Sequence, residues 1–254
     1  MSWAEQVRGV REFQRKYVKR YGKHVLHRID HYLARQSLVP DQAVLDARLF
    51  PWITEIETNW RAVRAELDAL LQYRDRLPRF QDISPDQKRI SPDDKWRVFV
   101  FYGFGYRSEH NCQFCPNTAT LLTRVPNIQN AFFSILAPGK YVPSHRGITK
   151  GLIRCHLGLI VPTDREQCVM EVGGVRCIWE EGKVLVFDDT FLHEVHNDTQ
   201  EKRVVLLFDF PRPMTHSGVV LSRVLMQLMR GTAYVRDAIR NERQWEEQFP
   251  YLKP

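Results

Sequence analysis

Residues 97–211 predict a mainly β domain, a barrel or sandwich, with helical additions on both sides. Short apolar runs bounded by Gly or Pro recur at 98–102, 131–136, 152–161, 168–172, 175–179, 184–187 and 204–210, the pattern of consecutive short strands. Gly173-Gly174 falls between two of these runs and reads as a hairpin turn. Outside the region the apolar spacing changes to three and four, the period of a helix.

Four segments follow in order. Residues 1–40 form a basic amphipathic helical segment. Trp3, Val7, Val10, Tyr17 and Tyr21 share one face of a helix or pair of helices over 3–36. Residues 1–36 hold nine basic and three acidic residues, net +6 of the chain's +7. Such a segment fits a solvated helix packed on the domain. It equally fits attachment to an anionic membrane surface, where each nearby Lys or Arg contributes about 1 kcal/mol. Nucleic acid is not the expected partner. His24, His27 and His31 share a face, but the surrounding positive charge would repel a metal ion.

Residues 41–96 are a helical lead-in and loop. Trp52, Ile56, Trp60, Val63, Leu67, Leu70 and Leu71 make an apolar stripe over 52–76, and 78–95 is polar, dotted with proline and reads as a loop. The β domain then occupies 97–213. Residues 214–254 return to helical spacing through Val220, Val224, Leu225, Leu228 and Met229 and end in a charged segment.

Composition narrows the function classes. No run of 18 or more apolar residues is present, so no helix is expected to span a bilayer. The basic N-terminus lacks the apolar core of a secretory signal. A cytoplasmic protein is expected, with a peripheral place on the inner face of the membrane as the variant. Five cysteines, an odd number, argue for reduced thiols. Cys112 and Cys115 form a lone CxxC. A structural zinc needs four ligands, and Cys168 and Cys177 are a poor second pair, so packing is the simpler reading.

No GxSxG, GxxxxGK[ST], HExxH or GxGxxG motif occurs. What remains is histidine and arginine among the strands: His145 after the turn at Pro138-Gly139, His156 within a strand, His193 after the run 184–187, and Arg203 ten residues on. An oxygen-activating Fe(II) takes imidazole readily and keeps positions open for O2 and a co-substrate. The far carboxylate of a chelating 2-oxo acid needs a fixed cation, and arginine meets both of its oxygens. The order His145, His193, Arg203 meets those needs. His110, His196 and His216 read as bystanders.

The stretches Phe133–Gly139, His145-Arg146-Gly147, Arg154–Leu159 and Trp179–Val195, with Arg203, closely resemble the aspartyl/asparaginyl β-hydroxylase family. That family includes peptide Asp/Asn hydroxylases and bacterial enzymes acting on acyl chains of lipid A or ornithine lipids. The resemblance covers roughly 98–213. It implies a double-stranded β-helix (jelly roll) that binds Fe(II), 2-oxoglutarate and O2. It implies His145 and His193 as the metal ligands and catalytic centre. It implies Arg203 on the far carboxylate of 2-oxoglutarate, with Ser134, Arg154 and His156 helping to seat that co-substrate. Position 147, where a third, carboxylate ligand is usual, is glycine, as in the animal peptide hydroxylase of the family, where water completes the site. Asp188 and Asp189 are expected to orient a ligand imidazole. The expected substrate is a small molecule or lipid. A membrane-lipid acyl chain is preferred, and an Asp or Asn side chain in a peptide or small acid is the alternative. Arg146 and Lys150 are candidates for an anionic headgroup. A non-catalytic jelly-roll binding protein is the competing class.

Overall fold

The computed structural model describes residues 27–248, so the predicted amphipathic face at Trp3–Tyr21 lies outside the described residues. Residues 27–36 are helical (α1). There follow β1 (Val44–Leu45), α2 (Ile53–Thr58), α3 (Trp60–Leu70), α4 (Phe80–Ile83), β2 (Trp96–Gly103), β3 (Tyr106–Arg107), α5 (Glu109–Phe114) and α6 (Pro116–Leu122). Then come β4 (Asn130–Leu136), β5 (Lys140–His145), β6 (Leu152–Ile160), β7 (Cys168–Val172), β8 (Val175–Ile178), β9 (Val184–Phe187), β10 (His193–Asn197) and β11 (Arg203–Pro211). Two helices, α7 (His216–Arg230) and α8 (Ala233–Gln248), close the order.

The strands form a long sheet, β1-β9-β6-β11-β4-β2-β3, and a short one, β5-β10-β7-β8. From β4 to β11 the chain winds between the two sheets with antiparallel pairing throughout. This is a double-stranded β-helix with helices added on both sides. Gly173 and Gly174 adopt φ of +56° and +80°, the positive values that a two-residue turn from β7 to β8 requires.

Strand parity sorts the long sheet into two faces. Phe133, Ile135, Cys155, Leu157, Val204, Leu206 and Phe208 point to one side. There they meet Ile56, Val63 and Leu67 from α2 and α3, and Leu122 from α6. Truncating one of these aromatics, such as Phe133→Ala, would cost about 3–5 kcal/mol. The opposite parity points between the sheets, where Leu136, Val205 and Leu207 face Val142, Met170, Val172 and Val195. Ser134, Arg154, His156, Arg203 and Asp209 share that inner parity, so the same alternation that builds the core gathers the polar site.

Four local readings need correction. The expected loop over 78–95 contains α4 and a 3-10 turn over Pro85–Arg89. Asp82 accepts from the Arg79 backbone N–H at 3.1 Å, and Phe80 and Ile83 pack on the inner cluster. The helix expected over 52–76 breaks at Asn59, whose Nδ2 donates to the Glu55 carbonyl at 2.8 Å. Residues 109–122, inside the expected strand region, are helical. Ser108 caps α5 by accepting from Asn111 N–H at 3.1 Å, and Pro116 starts α6. Strands β5 and β10, which carry the two histidines, were not expected. In the C-terminal segment Val220, Val224 and Leu228 face outward, while Leu225 packs with Leu33 and Met214. Among the described residues no helix is long and apolar enough to cross a membrane.

Candidate active site

His145 ends β5 and His193 begins β10, and the two are direct partners in the antiparallel register. Their ring centroids lie 4.1 Å apart. Each ring is oriented by a carbonyl two residues back: His145 Nδ1 lies 2.8 Å from the Pro143 oxygen and His193 Nδ1 3.0 Å from the Phe191 oxygen. A carbonyl only accepts, so Nδ1 carries the proton and each Nε2 keeps its lone pair. Burial pushes His193 down to about 3, with neighbouring His145 adding to the shift, and burial also lowers His145. Both imidazoles are neutral at pH 7, the form that binds a metal.

Among the described residues no group of three or more His, Cys, Asp or Glu is arranged to hold a metal. At Gly147 a Cβ would run into the carboxylate of Asp189. The Gly147 N–H also donates to the Asp189 carbonyl at 2.7 Å. The carboxylate of Asp189 therefore fills the space beside residue 147. Burial raises it to about 6, against the pull of Arg154.

Arg203 opens β11 and is 2% exposed. Its guanidinium lies 4.4 Å over the Trp179 ring, and its Nε and Nη1 donors have no hydrogen-bond partner among the described residues. Burial lowers it to about 10, so it stays charged at neutral pH. A buried cation without a counterion is strongly destabilising. Trp179 also donates to His156 Nδ1 at 3.3 Å. That places the His156 proton on Nε2, which is likewise buried and unpartnered. Burial, and then Arg203, keep His156 neutral. Three orphaned N–H donors thus face the interior, a donor set that fits a carboxylate. Ser134 is buried close by and accepts from Trp96 Nε1 at 3.1 Å.

Arg154 is engaged differently. Its Nε and Nη2 grip Asp209 at 2.8 and 2.9 Å, and Nη1 reaches Asp189 at 3.0 Å. Asn130 adds a 2.9 Å bond to Asp209. Lys150 is engaged too, at 2.8 Å from Asp188, which also pairs with Arg212. Arg146 donates to the Thr190 carbonyl at 2.6 Å. Asp188 accepts from the Thr190 N–H at 2.9 Å, which fixes the turn leading into His193.

A cavity of about 200 Å³ opens on His145, Gly147, Arg154, Asp189 and Asp209. Its walls are apolar: Phe80, Ile83, Ile90, Trp96, Val100 and Phe132. Arg89 and Arg146 also line it, and α8 contributes Tyr234, Ala238, Ile239 and Glu242. Apolar walls with a few placed polar groups are the ordinary build of a small-molecule site.

Sequence reading missed Trp179, Trp96, Asp209 and Glu242. Asp209 had a signal, since it shares strand parity with Arg203 on β11. The others depend on contacts between distant segments. Cys112 and Cys115 are buried in the core under the helices, all five cysteines are free thiols, and burial raises Cys112 to about 11. His196 pairs with Glu194 at 3.0 Å.

A sequence profile described as aspartyl/asparaginyl β-hydroxylase matches residues 57–213. The chain is 43% identical over 206 residues to an ornithine lipid ester-linked acyl 2-hydroxylase of Rhizobium tropici, covering 81% of this chain and 73% of that one. It is 32% identical over 166 residues to the human aspartyl/asparaginyl β-hydroxylase, covering 63% of this chain and 21% of that one. A solved Pseudomonas putida prolyl-4-hydroxylase overlays at a TM-score of 0.40 and 15% identity, over 61% of this chain and 87% of that one.

Proposed function

The chain belongs to the aspartyl/asparaginyl β-hydroxylase family, and on that premise we propose that it is an Fe(II)- and 2-oxoglutarate-dependent dioxygenase acting on an unactivated C–H of a membrane-lipid acyl chain. The observation that carries the cofactor reading is the buried guanidinium of Arg203, whose Nε and Nη1 have no hydrogen-bond partner among the described residues. Such a charge needs an anion, and the two neutral histidines lie on the same inner side of the barrel.

In this reading Nε2 of His145 and Nε2 of His193 would hold the iron. Arg203 would grip the far carboxylate of 2-oxoglutarate, and His156 Nε2–H and Ser134 would complete its seat. Trp179 holds both Arg203 and His156 in place. With 2-oxoglutarate and O2, bound iron would supply the oxidising power for inserting oxygen into a C–H bond. Arg154, pinned by Asp209 and Asp189, positions the Asp189 carboxylate beside Gly147. The apolar walls exclude water from the reacting centre.

Two observations favour an acyl chain: the apolar cavity beginning at His145 and the identity with the Rhizobium tropici acyl hydroxylase. The basic segment 1–36 would hold the protein at an anionic bilayer on the cytoplasmic face.

The test is a comparison of His193→Ala with the parent protein. Substrate-dependent succinate formation should vanish while the far-UV circular dichroism stays unchanged. Full turnover in the variant would remove the metal assignment. Lipid and protein mass spectrometry of cells with and without the protein should find one added oxygen on a lipid acyl chain. An added oxygen on peptide Asp or Asn would move the substrate to the alternative. Absence of the visible charge-transfer band with anaerobic Fe(II) and 2-oxoglutarate would favour a non-catalytic binding protein.

A further inference from the structure

The cavity has a second polar feature, remote in sequence from the histidines. Glu242 lies on α8, is 2% exposed and lines the cavity. Its Oε1 accepts from Asn111 Nδ2 at 2.8 Å, and that Asn111 nitrogen also reaches the Val100 carbonyl at 2.8 Å. Its Oε2 is buried and has no partner among the described residues. Burial, reinforced by Glu246, raises the acid to about 8. A group of this kind keeps its proton at neutral pH and offers one O–H donor.

Tyr234 sits two turns earlier on the same face of α8, since positions spaced by four align along a helix. Its hydroxyl oxygen lies 3.2 Å from both Ser84 Oγ and Gln87 Nε2. Ala238, between them, is small and leaves the cavity open. This wall lies beyond the residues matched by the family profile, which end at 213.

We propose that Glu242 is a specificity-determining residue, donating a hydrogen bond from Oε2 to a neutral acceptor on the substrate, the carbonyl oxygen of an acyl ester. The inference rests on the acyl-chain reading above and adds to it the polar group that the chain must carry. A cationic group is a poorer match. It would need the ionised acid, which burial disfavours, in a cavity that also holds Arg89 and Arg146, with Arg154 offset by Asp189 and Asp209. A bare hydrocarbon would leave the O–H unsatisfied, which sites of this kind reject.

The test uses the full chain and displacement of the neutral fluorophore N-phenyl-1-naphthylamine by three probes: methyl decanoate, undecane and decylamine. It requires neither iron nor turnover. The ester should displace the fluorophore best from the parent protein. Glu242→Leu should weaken the ester about tenfold and leave undecane unchanged. Glu242→Gln, which retains a donor, should restore most of the ester preference. Ester and alkane unaffected by Glu242→Leu would overturn the proposal while sparing the acyl-chain reading, as would a preference for decylamine. Failure of both ester and alkane to displace the fluorophore would instead sink the acyl-chain reading, and this inference with it.

Discussion

Arg154 and Arg203 project from the long sheet into the same interior, and their surroundings are opposite. Arg154 is gripped by Asp209 through two nitrogens and by Asp189 through a third. Arg203 has the face of Trp179 and two donors with no acceptor. Burial pulls both guanidinium groups down, but two carboxylates more than restore Arg154, while Arg203 falls to about 10. Arg154 is satisfied within the scaffold, while Arg203 keeps two donors open, which on the proposed function would receive the co-substrate carboxylate.

Replacing Arg203 should have the largest effect. On the proposed function, Arg203→Met removes the group that would pair with the 2-oxoglutarate carboxylate, and losing one side of a buried charge pair is worth about 3–5 kcal/mol. Apparent affinity for 2-oxoglutarate should fall on the order of 10²–10⁴-fold. The ligand-free melting temperature should not drop, because the substitution removes an unpaired charge. A clear loss of stability without ligand would erase the contrast with Arg154.

Asp209→Ala is the mirror experiment. It takes the bidentate grip from Arg154 and should destabilise the fold by about 3 kcal/mol, at the low end for such pairs because Asp189 still holds one nitrogen. Chemical denaturation measures it. Affinity for 2-oxoglutarate should change far less than in Arg203→Met.

Glu242 handles burial in a third way, by remaining neutral. Its folded acid titrates near 8 against an ordinary 4.5, so between these values the folded protein holds a proton that the unfolded chain has released. Relative to Glu242→Gln, the parent protein should therefore lose stability as pH rises from about 4.5 to 8, by at most about 1.4 kcal/mol per pH unit. Flat relative stability across that window would show that the carboxyl ionises freely. The smallest effect belongs to Trp179→Phe. It keeps an aromatic face for Arg203 but loses the N–H to His156. Affinity for 2-oxoglutarate should weaken by about 1 kcal/mol, the worth of one hydrogen bond, read from a binding titration.

These contrasts also mark what the sequence discloses. Strands buried on both faces announce themselves by dense apolar residues, as in β11, where Val204–Phe208 is an unbroken apolar run. Strands β5 and β10 do not. Lys140-Tyr141-Val142-Pro143-Ser144-His145 and His193-Glu194-Val195-His196-Asn197 each place one valine in the inner core, and polar residues fill most of their other positions, among them Lys140 and Asn197, which are buried in polar contacts. The strands that carry the histidines therefore have the weakest β signal. His145, His193 and Arg203 were legible as residue types at a meaningful spacing. That Arg203 is bare, that Asp209 saturates Arg154, and that α8 brings an acid to the cavity are facts of tertiary placement. The Cys112 and Cys115 pair shows the converse, a motif legible in sequence that the fold uses as packing.

The contact between residue 147 and Asp189 bears on how such a centre can change over time. A side chain at position 147 would collide with the Asp189 carboxylate, so a carboxylate could be installed there only if Asp189 moved aside. Such a move would disturb one partner of Arg154. If His145 and His193 form the proposed centre, adding a third ligand at position 147 is therefore coupled to the ion pair that holds Arg154 in the barrel mouth.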